Sequence, residues 1–103
     1  MAQCKAVHKF RVPIDMKWHE VSVPHGATLL HVGKTMLDKN QEYLGGVELG
    51  LYFWAEVLIG AEEVPQQFRA FATGELIPLG SATYVGTCID DGMVWHLYLK
   101  TDD

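Results

Sequence analysis

The sequence predicts an all-β domain of about seven mostly antiparallel strands, folded as a small sandwich or a partly open barrel. Apolar residues recur at every second position in most segments. Gly, Pro, Asn and Asp separate those segments at short intervals, and no stretch sorts its apolar residues with a convincing helical period. The 103 residues fit a single domain, residues 1–103. A chain of this length buries roughly 60–70% of its unfolded surface, enough for one modest core without metals or disulfides.

The first strand is expected over residues 6–12. Ala6, His8, Phe10 and Val12 share one face, and Lys5, Val7, Lys9 and Arg11 the other, before Pro13 ends the ladder. Residues 18–23 form the second strand, with Val21 and Val23 inward beside Glu20 and Ser22, and Pro24-His25-Gly26 turns the chain. Residues 29–36 follow, with Leu30, Val32 and Met36 on one side and Leu29 and His31 on the other. The spacing of these three segments predicts an antiparallel meander.

Residues 38–42 are strongly polar and read as a loop that Gly45-Gly46 closes. The longest strand then covers residues 47–59. Val47, Leu49, Leu51, Phe53, Ala55, Val57 and Ile59 are all apolar, whereas the even face mixes Glu48, Gly50, Tyr52, Trp54, Glu56 and Leu58. A helix would not separate residues by parity in this way, so this segment is the expected central strand. Residues 62–65 read as a turn and residues 67–73 as a strand, with Phe68, Ala70 and Ala72 opposing Arg69, Phe71 and Thr73. Residues 74–81 form a loop with at most one short extended piece. Residues 83–89 and 93–100 form a hairpin around Asp90-Asp91-Gly92. In its second arm Trp95, Leu97 and Leu99 oppose Val94, His96 and Tyr98.

With 49% hydrophobic, 11% aromatic and 20% charged residues, the composition excludes a disordered chain and a coiled coil. Thirteen acidic and eight basic side chains give a net charge of −5. That balance argues against nucleic acid as a partner, because lysine and arginine must replace phosphate counterions. Glu62-Glu63, Asp90-Asp91 and Asp102-Asp103 read as solvated pairs. Cys4 and Cys88 lack CxxC spacing, and a reduced thiol inside the strand of Cys88 acts as a small hydrophobe. The N-terminus lacks the apolar core of a signal peptide, and Glu48 and Glu56 interrupt the apolar run of residues 47–60. A cytoplasmic protein with no membrane partner is expected.

Catalytic signatures are missing from the sequence. The five histidines, His8, His19, His25, His31 and His96, form no HxH, HExxH or Cys–His pattern, so neither metal nor cofactor is expected. His8, His31 and His96 would converge only if their strands were neighbours. Ser22 and Ser81 lie outside any GxSxG elbow. Glu48 and Glu56 stand about 26 Å apart along an extended strand, too far to act as a pair. Neither Gly45-Gly46 nor Gly74 leads into a helix that would bind phosphate. The chain is expected not to be an enzyme.

A more informative signal is aromatic. Tyr52 and Trp54 lie on the mixed face of the central strand, His96 and Tyr98 on the mixed face of the last strand, and Arg69 and Thr73 on a strand between them. These six are the candidate ligand- or partner-binding residues, since arginine and aromatic side chains dominate interface hot spots and stack flat ligands. In a closed barrel or an intersheet core the same aromatics would be buried instead.

Across almost its full length the chain resembles a family of small proteins of unknown function encoded by bacteriophages and bacteria. The matching features are Lys9-Phe10 with Pro13, Pro24-His25-Gly26-Ala27, and Leu30-His31-Val32-Gly33. Phe53-Trp54-Ala55 with Val57, Arg69-Ala70-Phe71 and Thr73-Gly74 follow, then Tyr84-Val85-Gly86-Thr87 and Val94-Trp95-His96-Leu97. The chain departs from that pattern at Glu75, where the family commonly has histidine, and in a longer segment over residues 37–50. The resemblance implies an all-β fold and a phage or prophage source, hence the cytoplasm of a host cell; it implies no activity.

The leading expectation is a non-enzymatic binding module, a phage accessory protein that engages a host factor, including a defence component. An alternative is a protein that sequesters an anionic small molecule such as a nucleotide between Arg69, Trp54 and His96. A further alternative is a self-assembling structural protein joined through sheet edges, and a homo-oligomer is expected. A metal-dependent enzyme is the weakest class.

Overall fold

A computed structural model describes residues 3–34, 50–90 and 92–101. Within them the chain forms β1 (Lys5–Pro13), β2 (His19–Pro24), β3 (Thr28–Lys34), β4 (Gly50–Leu58), β5 (Glu63–Ala72), β6 (Ala82–Asp90) and β7 (Met93–Lys100). The strands make two antiparallel sheets, one of three strands in the order β1-β4-β3 and one of four in the order β2-β5-β7-β6. The molecule is 20 Å across its thinnest axis, as two sheets packed about 10 Å apart require. This is a small sandwich, not a closed barrel. Among the described residues no helix is long and apolar enough to cross a membrane.

The alternation of β4 builds the core. Leu51, Phe53, Ala55 and Val57 are all buried, and Tyr52, Trp54, Glu56 and Leu58 are half-buried on the opposite face. The expected central position is correct, because β4 lies between β1 and β3. Residues 47–49 of the expected strand lie outside the described residues, and Ile59 lies past its end, 52% exposed. Phe53 stacks on Phe10 of β1 at 5.0 Å between ring centroids and meets Phe68 of β5 at 4.7 Å, so one side chain joins both sheets. Val12, Val23, Val32, Ala70, Cys88 and Leu97 complete the interior.

At the seam of β3 and β6 the sheets approach until only glycine fits. A Cβ on Gly86 would lie 2.5 Å from a methyl of Val32.

Three local expectations are corrected. β1, β2 and β3 do not form a meander, because β1 and β3 both pair with β4 while β2 pairs with β5 in the other sheet. Each short amphipathic strand has one apolar face, and that face does not say which sheet it joins. In β3 the register shifts between Leu29 and His31, so Leu29 packs toward the core beside Val32 and Leu30 is 51% exposed. A bulge inserts one residue and reverses the parity on either side of it. Met36 lies outside the described residues.

The third correction concerns β5, which starts at Glu63 where a turn was expected and carries Pro65 inside the strand, opposite Ser22. The proline is tolerated because pairing with β7 begins only at Phe68, leaving one side of this stretch unpaired.

β5 and β6 are both antiparallel to β7 and therefore parallel to each other. Residues 73–81 must travel the length of β7 to connect them, and no part of this crossover is extended strand. Its end is tied down by Thr101, whose N–H donates to the Ser81 carbonyl at 3.0 Å.

The shared position of Phe53 gives a direct test. Phe53→Ala removes a ring contacting both sheets and should cost about 3–5 kcal/mol. Urea denaturation should show a lowered midpoint with an unchanged slope; a loss below about 1 kcal/mol, the range of ordinary surface substitutions, would contradict this packing.

Candidate functional site

The sandwich has two outer faces, and the candidate residues divide between them. On the four-stranded sheet, Phe71 points away from the core yet is only 1% exposed. Three neighbours bury it: Trp18 edge-on at 6.0 Å, Tyr98 edge-on at 5.4 Å, and the Arg69 guanidinium 4.3 Å from its centroid. Phe71 is therefore the centre of a second, small aromatic cluster outside the main core.

The β1–β2 loop delivers Trp18. Asp15 accepts from the Lys17 backbone N–H at 3.1 Å and from His19 Nε2 at 2.6 Å, and Met16 adopts a positive φ of 65° between them. These bonds hold the Asp15 carboxyl below its ordinary range, the His19 hydrogen bond being the largest cause and the Lys17 N–H a smaller one. Lys100 approaches the exposed side of the cluster, its ammonium 5.9 Å from the Trp18 ring centroid.

Arg69 is committed within the protein. Its guanidinium donates to Glu75, and Glu75 also accepts from the Ala72 backbone N–H at 3.1 Å. Both side chains of the pair are 19% exposed. Glu75 thus fastens the start of the crossover to the outer face of the sheet. Arg69 Nε is buried without a hydrogen-bond partner.

Beside this pair runs a chain of polar contacts. Thr73 Oγ1 lies 2.9 Å from His96 Nε2, and Thr87 Oγ1 lies 3.0 Å from His96 Nδ1. The Tyr84 hydroxyl in turn bonds to Thr87. A neutral imidazole donates through one nitrogen and accepts through the other, and threonine hydroxyls rotate to suit either tautomer. Tyr84 also packs against Tyr98 at 5.6 Å while remaining 53% exposed. Four of the six candidates, Arg69, Thr73, His96 and Tyr98, therefore form one continuous, internally bonded surface.

The other two lie elsewhere. Tyr52 and Trp54 stand on the outer face of the three-stranded sheet, 6.5 Å apart, with His31 5.7 Å from Trp54. Gly33 is required beneath them, because a Cβ there would come within 2.6 Å of the Trp54 ring. Lys9 places its ammonium 4.1 Å from the Tyr52 centroid, and Lys5 pairs with Glu56 at 3.1 Å. Trp54, Arg69 and His96 do not share a cleft, since the core separates them. His8, His31 and His96 do not converge either, standing on β1, β3 and the opposite sheet. Among the described residues no three His, Cys, Asp or Glu side chains are placed to hold a metal ion.

Sequence reasoning did not select Trp18, Tyr84, Thr87 or Glu75. Parity alone would set Tyr84 and Thr87 on opposite faces; a register shift between Tyr84 and Gly86 brings both onto the face of Tyr98 and His96, with which they pair. Trp18 arrives from a loop, for which strand periodicity carries no signal.

Comparison with known proteins then places the chain. It belongs to the family described as domain of unknown function DUF7352, which matches residues 3–103. No curated protein and no solved structure matches it.

Two outcomes follow from the geometry. In an NMR titration the Asp15 carboxyl should have its midpoint below 3.8, and His19→Ala should raise that midpoint. Since folding depresses this pKa, the stabilisation from Asp15 is present above the unfolded value and lost as pH falls through the folded one; a midpoint at or above 3.8 contradicts the contact. Glu75→Ala removes two hydrogen bonds accepted by a carboxylate and should lower stability by about 1.5–3 kcal/mol. Thermal unfolding at the wild-type midpoint would show the crossover is not held there.

Proposed function

We propose that this protein is a non-enzymatic binding module, a phage or prophage accessory protein that engages a host protein through the outer face of its four-stranded sheet. The observation that carries this reading is the surface of Trp18, Arg69, Tyr84, His96 and Tyr98, held by its own contacts before any partner arrives. Tryptophan, tyrosine and arginine are the residue types that dominate hot spots, and a surface ordered in advance loses little side-chain freedom on association. The phage or prophage source, and with it a host partner in the cytoplasm, rests on the motif resemblance.

Two competing readings receive less support. A flat anionic ligand would need a free cation, and Glu75 already neutralises Arg69. Self-assembly would use the edge strands β1, β3, β2 and β6.

Affinity capture from a bacterial host lysate, read by mass spectrometry, tests the reading. The wild-type protein should retain one host protein in stoichiometric amount, and the double variant His96→Ala with Tyr98→Ala should weaken its retention roughly tenfold or more. Retention of nothing, or equal retention by the variant, contradicts the proposal. A solution mass of a multimer whose assembly the double variant abolishes would assign the surface to a second copy of the chain.

A further inference from the structure

We infer that Leu76 and Leu79, on the crossover between β5 and β6, are the apolar anchor of the protein interface, and that the partner is a folded protein with an apolar cleft that receives them. This rests on the reading of the four-stranded face as a protein interface, and it names the chemistry of what that face meets. Leu76 is 91% exposed and Leu79 102%, the two most exposed large apolar side chains among the described residues. Pro78 between them is exposed as well, whereas Ile77 is half-buried. Single exposed leucines are common on protein surfaces; two beside a proline on one short loop make a contiguous apolar patch.

The protein sets the shape of this loop. At its start Gly74 takes a φ of 90°, the Glu75 N–H donates to the Ala72 carbonyl at 3.1 Å, and the Glu75 carboxylate holds Arg69. In the middle Pro78 fixes its own φ and biases Ile77 toward an extended backbone. At its end the Ser81 hydroxyl donates to the Pro78 carbonyl at 2.7 Å, and the Thr101 hydroxyl to the Gly80 carbonyl at 3.3 Å. A loop bonded at both ends places its leucines before contact, so little of their burial is offset by ordering the chain. Fully burying one leucine strengthens association by about tenfold to a hundredfold.

The surroundings select the occupant. The loop leaves the sheet where Thr73 bonds to His96 and Glu75 to Arg69, so it is continuous with the surface proposed to engage a host protein. A lipid surface is a poorer match. The net charge of −5 is repelled by anionic head groups, and residues 70–81 contain no lysine or arginine to meet them. A second copy of the chain is a poorer match too, because its notch over Glu20, Val64, Pro65, Gln66, Gln67 and Lys100 is lined by four polar side chains.

Isothermal titration calorimetry against the host protein retained in the capture experiment tests the inference. Leu76→Ser with Leu79→Ser should weaken binding at least about a hundredfold. Its thermal midpoint should equal that of the wild type, since both side chains already stand in water; a lowered midpoint would assign the leucines a structural role and overturn the inference. Benzoylphenylalanine in place of Leu79 should photo-cross-link to apolar residues lining a cleft of that protein, and cross-linking only to an exposed polar segment contradicts it. Retention of no host protein by the wild type sinks the interface reading and this inference together. Affinity that the leucine variant leaves unchanged, while His96→Ala with Tyr98→Ala weakens it, overturns this inference alone. Flotation of the wild type with phosphatidylcholine–phosphatidylglycerol vesicles, or a sedimenting multimer, lost in either case in the leucine variant, would assign the loop to lipid or to a second copy and likewise overturn it.

Discussion

Phe53 touches both layers of the sandwich, stacking on Phe10 within its own sheet and meeting Phe68 across the core. Its orientation fixes that of every residue on β4. With Leu51, Phe53, Ala55 and Val57 inside, Tyr52, Trp54 and Glu56 must face outward. The same logic on β5 and β7 turns Phe68, Ala70 and Leu97 inward and Arg69, His96 and Tyr98 outward. Two outer faces, separated by the core, are the direct consequence, and the distribution of candidate binding residues follows from it.

Those faces differ in the residues that line them. On the four-stranded sheet the contacts are internal: Arg69 with Glu75, His96 between Thr73 and Thr87, and Phe71 beneath Trp18 and Tyr98. This is an ordered surface of low net charge, suited to another ordered surface. On the three-stranded sheet the cations of β1 lie alongside the rings of β4. Glu75 follows Thr73-Gly74, and the structure uses its carboxylate to hold both Arg69 and the turn at Ala72. In this protein the position serves to fasten the crossover.

The seven strands and the pairing of β6 with β7 were legible because their information is local. Alternation in β4 and β7 and the Asp-Gly turn need no knowledge of distant neighbours. What depends on distant neighbours was not legible. Nothing in residues 28–34 marks the bulge that exposes Leu30, and nothing in β1 or β2 says that they join different sheets. For the same reason six candidates that share an outward parity divided two and four between faces. Phe71 was assigned to the correct side of β5, but its burial under Trp18 depends on a loop conformation set by Asp15 and His19. Tertiary contact, not strand period, made that cluster.

Proton–proton contacts of the aromatic rings test this arrangement most directly. An NMR nuclear Overhauser spectrum should connect the ring protons of Phe53 with those of Phe10 and Phe68, and the Trp54 indole with His31. Contacts from the Trp54 indole to Phe68 or Leu97 would place the even residues of β4 inside and contradict the assignment of the two outer faces.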